Sequence, residues 1–357
     1  MTVRSVSVQQ LEAFIRRCLV AVGLPGRDAG IVAALMSDAD LNGSDGHGVF
    51  RLPQYVKRIR DGGMNVAPNI RLVEDRGAMA LVDGDNAMGH LVMRYAAEVA
   101  MERAAEHGVA WVGARHSNHA GPAALYAKMP LQRDMIGIYV AVGSANHLPP
   151  WGGTEMLLST NPIAVAIPAQ DEAPVVLDMA TTVAAYGKVK TAAQRGEPMP
   201  EGWMIDALGN PLTDPARANE GFLLPIGGAK GYGLSLVFGL LAGTLNGAAF
   251  GRDVVDFNAD STSLTNTGQF IVALCVEAFA EVDAFKRQVD AVIRSMRGSP
   301  TLPGVDAVRV PGERSHRIRR ERERAGIPLP GTLYRTLNEL AASLDVGGLQ
   351  GSARRRV

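Results

Sequence analysis

Four stretches of this chain carry side chains able to move a proton or hold an anion. The first runs from Gly43-Ser44-Asp45-Gly46-His47-Gly48-Val49-Phe50-Arg51 to Tyr55. Flanking glycines leave the His47 ring accessible, and an imidazole exchanges a proton near neutral pH. Arg51, four residues on, lies on the same side once a helix has begun, and a guanidinium grips a carboxylate with two parallel hydrogen bonds. The same residues also suit a helix-connecting turn with an arginine on its solvated face. The second stretch, Arg115-His116-Ser117-Asn118-His119-Ala120-Gly121, follows an apolar run, where sheet-end loops hold ligands. Its two histidines lack a neighbouring Asp, Glu or Cys to complete a ligand set, so no metal is expected, and either one of them lines a pocket or both are backbone-bonded loop histidines.

In the third stretch, Leu177-Asp178-Met179-Ala180-Thr181-Thr182, Asp178 closes an apolar strand. It either orients a histidine or caps the next helix. Upstream, Pro149-Pro150-Trp151-Gly152-Gly153 leads to Ser159-Thr160-Asn161-Pro162, which reads as turn chemistry. The fourth stretch, Leu224-Pro225-Ile226-Gly227-Gly228-Ala229-Lys230-Gly231, opens an apolar helix. Its free N–H groups and Lys230 suit an anion, and a surface lysine on a glycine-rich helix start fits equally. Pro311-Gly312 precedes a basic run from Arg314 to Arg324, either a second such helix start or a solvated face.

Elements must position these residues. Leu11, Phe14, Ile15, Cys18, Leu19 and Val22 recur on one helix face, with Ser7 as cap and Gly23 as terminator. A second helix is expected from Arg27 to Leu41 with Ile31, Ala34, Leu35 and Ala39 inward, and a third through Tyr55 and Ile59. From residue 70 strands and helices mix. Strands are expected at Ile70–Val73, Met79–Val82, Val109–Gly113, Met135–Val142, Ile163–Ile167, Val175–Leu177 and Gln269–Val276. Helices are expected from Met88 to His107, Leu234 to Leu245 and Thr332 to Leu344, and the tail Ala353-Arg354-Arg355-Arg356 is expected to fray.

Composition removes several function classes. Across 357 residues, 36 Lys+Arg balance 36 Asp+Glu, so no overall field attracts nucleic acid. Cys18 and Cys275 stand alone, which excludes a disulfide framework and fits a reducing compartment. No apolar run approaches a membrane span and no apolar leader opens the chain, so a cytoplasmic protein without a membrane partner is expected. Neither G-x-G-x-x-G nor a Walker loop occurs, so a Rossmann fold lacks its fingerprint.

In order along the chain stand His47-Gly48-Val49 with Arg51, Asn118-His119 with Gly121, Thr160-Asn161-Pro162, Leu177-Asp178-Met179-Ala180-Thr181, Pro200-Glu201-Gly202-Trp203, Leu224-Pro225 with Lys230-Gly231, and Pro311-Gly312-Glu313. Together they resemble the type-2 malate/L-lactate dehydrogenase family, which includes ureidoglycolate, sulfolactate and diketogulonate dehydrogenases and cyclic-imine 2-carboxylate reductases. The resemblance implies an α/β, non-Rossmann fold: a mixed, largely antiparallel NAD(P)-binding sheet domain over residues 76–280, and a helical domain built from residues 1–75 and 281–357. It implies a homodimer that moves a hydride between NAD or NADP and a small 2-hydroxy/2-oxo acid, with NADPH-dependent reduction of cyclic imines such as piperideine-2-carboxylate as the alternative. His47 is then the proton donor and Asp178 the carboxylate that tunes or orients it, while Arg51, Tyr55, His119 and Thr160 contact the substrate. By the same resemblance, Pro174, Val175, Val176, Leu177, Asp178, Met179 and Ala180, then Ala229 and Lys230, then Gly312, Glu313 and Arg314 hold the cofactor. Gly46 stands where many relatives carry serine, Gly143-Ser144 replaces an asparagine and Ala120 an aromatic, all near the expected substrate pocket.

Overall fold

The computed structural model describes residues 3–354. In chain order they form β1 (Val3–Val6), α1 (Val8–Ala21), α2 (Gly26–Leu41), α3 (Leu52–Arg60), β2 (Arg71–Arg76), β3 (Met79–Asp83), α4 (Gly89–His107), β4 (Val109–Ser117), α5 (Ala124–Ala127), β5 (Met135–Ala141), β6 (Ile163–Ile167) and β7 (Val175–Met179). There follow α6 (Tyr186–Arg195), β8 (Met204–Asp206), β9 (Gly221–Leu223), α7 (Ala229–Ala242), β10 (Thr267–Cys275), α8 (Val282–Arg297), α9 (Glu313–Ala325), β11 (Ile327–Pro330), α10 (Gly331–Ser343) and β12 (Ser352–Arg354).

Seven strands make the main sheet in the order β2-β3-β4-β10-β5-β6-β7. Only β3 and β4 run parallel, because α4 carries the chain across between them; every other neighbouring pair is antiparallel. Small side chains let α4 lie close on this sheet: Ala96, Ala97, Ala100 and Ala104 pack over Ala110, Val112, Ala114 and Ala273, all fully buried. Two strands run past the expected ends. β4 continues through Arg115 and His116 to Ser117, which pairs with Thr267, and β7 continues through Asp178 to Met179, which pairs with Ile163. Both sheet ends thereby carry chemistry-bearing side chains.

A second core gathers α1, α2 and α3 with Ile327, Leu329, Leu337 and Leu349 from the far end of the chain. Ser7 caps α1 by a reciprocal exchange with Gln10, at 3.2 and 3.1 Å. α2 buries Ala39 and packs Ile31 and Leu35 half-buried against the cores as expected, but it also buries Val32, Ala33 and Met36 and exposes Ala34. Apolar residues surround most of this helix, so their period does not select a face, and the burial of Asp40 does. The tail also departs from expectation. Ala353 and Arg354 pair with Arg4 and Val3 of β1, which bonds β11 on its other edge; Arg355 and Arg356 lie outside the described residues. These short strands join residues more than 300 positions apart, and no local period announces such pairing.

The segment after α7 returns to the helical core through Arg58. This fully buried guanidinium donates to the carbonyls of Asp260, Gly63 (3.3 Å) and Ser263 (2.7 Å), and lies 5.0 Å from the centre of the Phe257 ring. A buried guanidinium whose terminal nitrogens are taken up by backbone carbonyls ties residues 260–263 to α3, because losing it strands those acceptors. α8 is secured differently, with Asp290 accepting the N–H groups of Gln170, Asp171 and Glu172 at 3.1, 2.9 and 3.2 Å in the turn between β6 and β7.

Candidate active site

The turn between α2 and α3 presents His47. Asp40, 2% exposed, accepts the Val49 N–H at 2.8 Å, and Ser44 accepts the His47 N–H at 2.8 Å. Gly48 is required here, since a Cβ would lie 2.2 Å from the Asp40 carboxyl. Burial raises the Asp40 pKa to about 8. From the other side Arg322 of α9 donates to the Asp40 carbonyl and to the Asp45 carboxylate. The turn is thus pinned by both ends of the chain.

His47 stacks on His119, with ring centres 5.5 Å apart and planes at 10°. The Tyr55 hydroxyl is 2.6 Å from His119 Nδ1, and the Gly121 N–H donates to the same nitrogen at 3.4 Å. A backbone N–H can only donate, so Nδ1 is an acceptor, Tyr55 donates to it, and the His119 proton sits on Nε2. Phe257 packs against Tyr55 and His119 at 5.7 and 5.4 Å, and His90 meets the Tyr55 ring edge-on at 5.5 Å. Among the described residues His47 Nδ1 has no hydrogen-bond partner.

Arg51 faces this cluster. Its Nε donates to the Gly46 carbonyl at 2.9 Å and its Nη1 to Asn258 Oδ1 at 2.8 Å, both neutral acceptors. Burial first, and then the Arg51 charge, lower the His47 pKa to about 4. Burial together with Arg51, His47 and His90 also holds His119 well below the usual histidine range. The site therefore sets a partly buried cation beside neutral imidazoles.

The structure brings His47, Arg51, Tyr55 and His119 together. It gives Asp178 and Thr160 other immediate partners: Asp178 accepts the Ala124 N–H at the start of α5 at 3.1 Å, and the Thr160 carbonyl accepts the Thr181 N–H and hydroxyl at 2.9 and 2.8 Å. Asp178 is open to solvent on one side, and the protein packed around its other sides raises its pKa. Sequence reasoning missed Asn258, His90 and Lys190. Lys190 sits 5.5 Å from the Tyr186 ring that also stacks on His147 at 4.2 Å, and burial and Arg51 lower its pKa. Asn258 reaches Arg51 from 207 positions away, through the segment that Arg58 anchors, and nothing local marks it.

The expected cofactor segments meet along β7. The Val176 N–H donates to the Pro311 carbonyl at 3.1 Å, and His316 Nε2 lies 2.9 Å from the Pro174 carbonyl. Gly312, with φ of 96°, starts α9 so close to β7 that a Cβ would lie 3.0 Å from the Val176 nitrogen. Beyond Ala180, the Ile226 N–H donates to the Thr181 carbonyl at 3.0 Å, which brings Ala229 and Lys230 to the same edge as the first turn of α7. A cavity of about 600 Å³ opens beside the seam, with Ala173, Glu313, Arg314, His316, Arg317 and Arg320 in its wall. Close backbone, helix N-termini and unpaired guanidiniums fit a dinucleotide carrying phosphates.

The malate/L-lactate dehydrogenase family model matches residues 6–338. This chain belongs to that family. It is 37% identical over 348 residues to the malate dehydrogenase of Pyrococcus horikoshii, covering 95% of each. The solved sulfolactate dehydrogenase of Methanocaldococcus jannaschii is similar, with a TM-score of 0.89 at 35% identity over 97% of this chain and 98% of that one. So is the Δ1-piperideine-2-carboxylate reductase of Pseudomonas syringae pv. tomato, with a TM-score of 0.83 at 28% identity over 94% of this chain and 99% of that one. The fold is that of this family, and the chain is an NAD(P)-dependent oxidoreductase.

An imidazole is neutral, and able to accept a proton, wherever pH exceeds its pKa. Because the His47 pKa is lowered to about 4, kcat/KM for hydroxy-acid oxidation is expected to hold through pH 5.5 and fall only near pH 4 to 5. An acid limb at 6.5 in the pH–rate profile would contradict this assignment.

Proposed function

We propose that this enzyme transfers hydride between NAD(P) and a small 2-hydroxy/2-oxo acid, with His47 exchanging the hydroxyl proton and Arg51 holding the carboxylate. The observation that carries the reading is a partly buried guanidinium bonded only to neutral acceptors, beside a neutral imidazole. A carboxylate supplies the missing counter-charge.

Bound nicotinamide supplies the hydride acceptor or donor. In oxidation neutral His47 takes the proton from the substrate hydroxyl, and in reduction it returns that proton to the carbonyl oxygen. The substrate carboxylate offsets Arg51, which raises the basicity of His47 when substrate is present. His119, fixed by Tyr55 with its proton on Nε2, offers a donor to the substrate oxygen, and Thr160 bounds the pocket. Asp178 anchors the start of α5 and tunes the local field. Pro174 to Ala180, Ala229, Lys230 and Gly312 to Arg314 seat the cofactor. Cyclic-imine reduction is the second reading, favoured by the likeness to the piperideine-2-carboxylate reductase; there His47 protonates a ring nitrogen instead.

We also propose a homodimer in the cytoplasm. An unpartnered apolar stripe on α7, with Leu234, Val237 and Leu240 between 42% and 49% exposed, supports the dimer. The free Cys18 and Cys275 accord with a reducing location. Among the described residues no helix is long and apolar enough to cross a membrane. We keep the division at 1–75, 76–280 and 281–357; the shared core of α1, α2, α3 and α10 supports joining the chain ends, although α8 leans on the sheet unit.

His47→Ala is expected to lower turnover by about 10² to 10⁴ while nucleotide affinity stays within a few-fold; near-normal turnover would remove His47 from its role. Val237→Asp is expected to convert the dimer to monomer in sedimentation velocity, and an unchanged dimer would move the interface off α7.

A further inference from the structure

The cavity beside the seam of β7 and α9 has an unbalanced wall. Its glutamates are committed: Glu172 bonds Arg294 and Arg297 at 3.0 and 2.6 Å and Glu313 bonds Arg297, whereas Asp171 stays solvent-exposed 3.7 Å from Arg294. Arg309, also in the wall, pairs with Asp306 at 2.6 Å. His316, at the seam, is held below the usual histidine range, chiefly by burial, and so adds no charge near neutral pH. Arg314, Arg317 and Arg320 remain. Spaced three apart, they present one side of α9 to the cavity and make no ion pair or hydrogen bond among the described residues.

Dinucleotides that differ only at the adenosine ribose are told apart by this kind of chemistry. A free carboxylate accepts the 2′-hydroxyl of NAD, whereas guanidinium groups receive the 2′-phosphate of NADP. Both glutamates of the wall are occupied by arginine and three guanidiniums are not. We propose that Arg314, Arg317 and Arg320 receive the 2′-phosphate and make this enzyme prefer NADP over NAD. The proposal rests on the reading that β7 and the start of α9 seat the nicotinamide cofactor.

Binding to the full chain tests it without reference to turnover. NADPH and NADH are titrated by fluorescence, and 2′,5′-ADP and 5′-AMP by calorimetry, against wild type and an Arg317→Ser/Arg320→Ser variant whose altered side chains are exposed. The wild type is expected to bind NADPH about tenfold or more tighter than NADH, and 2′,5′-ADP tighter than 5′-AMP. In the variant both gaps narrow to roughly threefold or less, and in the wild type added salt weakens NADPH more than NADH. Equal wild-type affinities, or tighter NADH, overturn the proposal. So does a variant that weakens both nucleotides alike, which would assign the arginines to the pyrophosphate that the two share. Binding of neither nucleotide by folded wild type would sink the cofactor reading itself, and the proposal with it.

Discussion

Everything at this site depends on one electrostatic arrangement: a partly buried arginine, without a counter-ion among the described residues, set beside imidazoles held neutral. Desolvation and the Arg51 charge move the His47 pKa from 6.5 to about 4. That displacement opposes protonation by about 3 kcal/mol. Left mobile, such a cluster would relax by drawing in water or turning Arg51 outward. The surrounding structure prevents it. Asp40 ties the backbone after His47, Tyr55 fixes His119, and Arg58 locks the segment that brings Asn258 to Arg51.

This rigidity follows from how the two cores are joined. The helical core is closed by strands from both chain ends, so Arg319 and Arg322 of α9 reach Asp38, Asp40 and Asp45 around the His47 turn. The same helix starts at Gly312 against β7 and turns Arg314, Arg317 and Arg320 toward the cavity. One helix therefore braces the His47 turn with one side and lines the arginine-rich cavity with another. Shifting α9 would disturb both, which couples the cavity wall to the position of His47 through one helix.

The sequence was legible where chemistry and fold use the same local signal. His47 with Arg51 stood out because glycines flank the ring and a helix follows, and α1 was fixed by Ser7 and its apolar face. The ordered motifs carried the family and the fold. Other features depend on distance in space. Asn258 reaches Arg51, and Lys190 comes under its charge, through tertiary packing alone, and the pairing of β1 with β12 spans nearly the whole chain. The inward face of α2 is wider than its apolar period marks, because a helix apolar on most sides buries Val32, Ala33 and Met36 as well, and of the expected residues only Ala34 faces out.

The most direct test is the titration of the His47 ring by NMR on histidine-labelled protein, its signal identified by its loss in His47→Asn. One sample is the free enzyme; the other is its complex with reduced nucleotide and oxamate, whose carboxylate stands in for that of a 2-oxo acid. A ring titrating near pH 4 in the free enzyme, and moving up by about a unit or more when oxamate offsets Arg51, is the expected result. A ring titrating at 6.5 in the free enzyme, with no response to oxamate, would contradict the account.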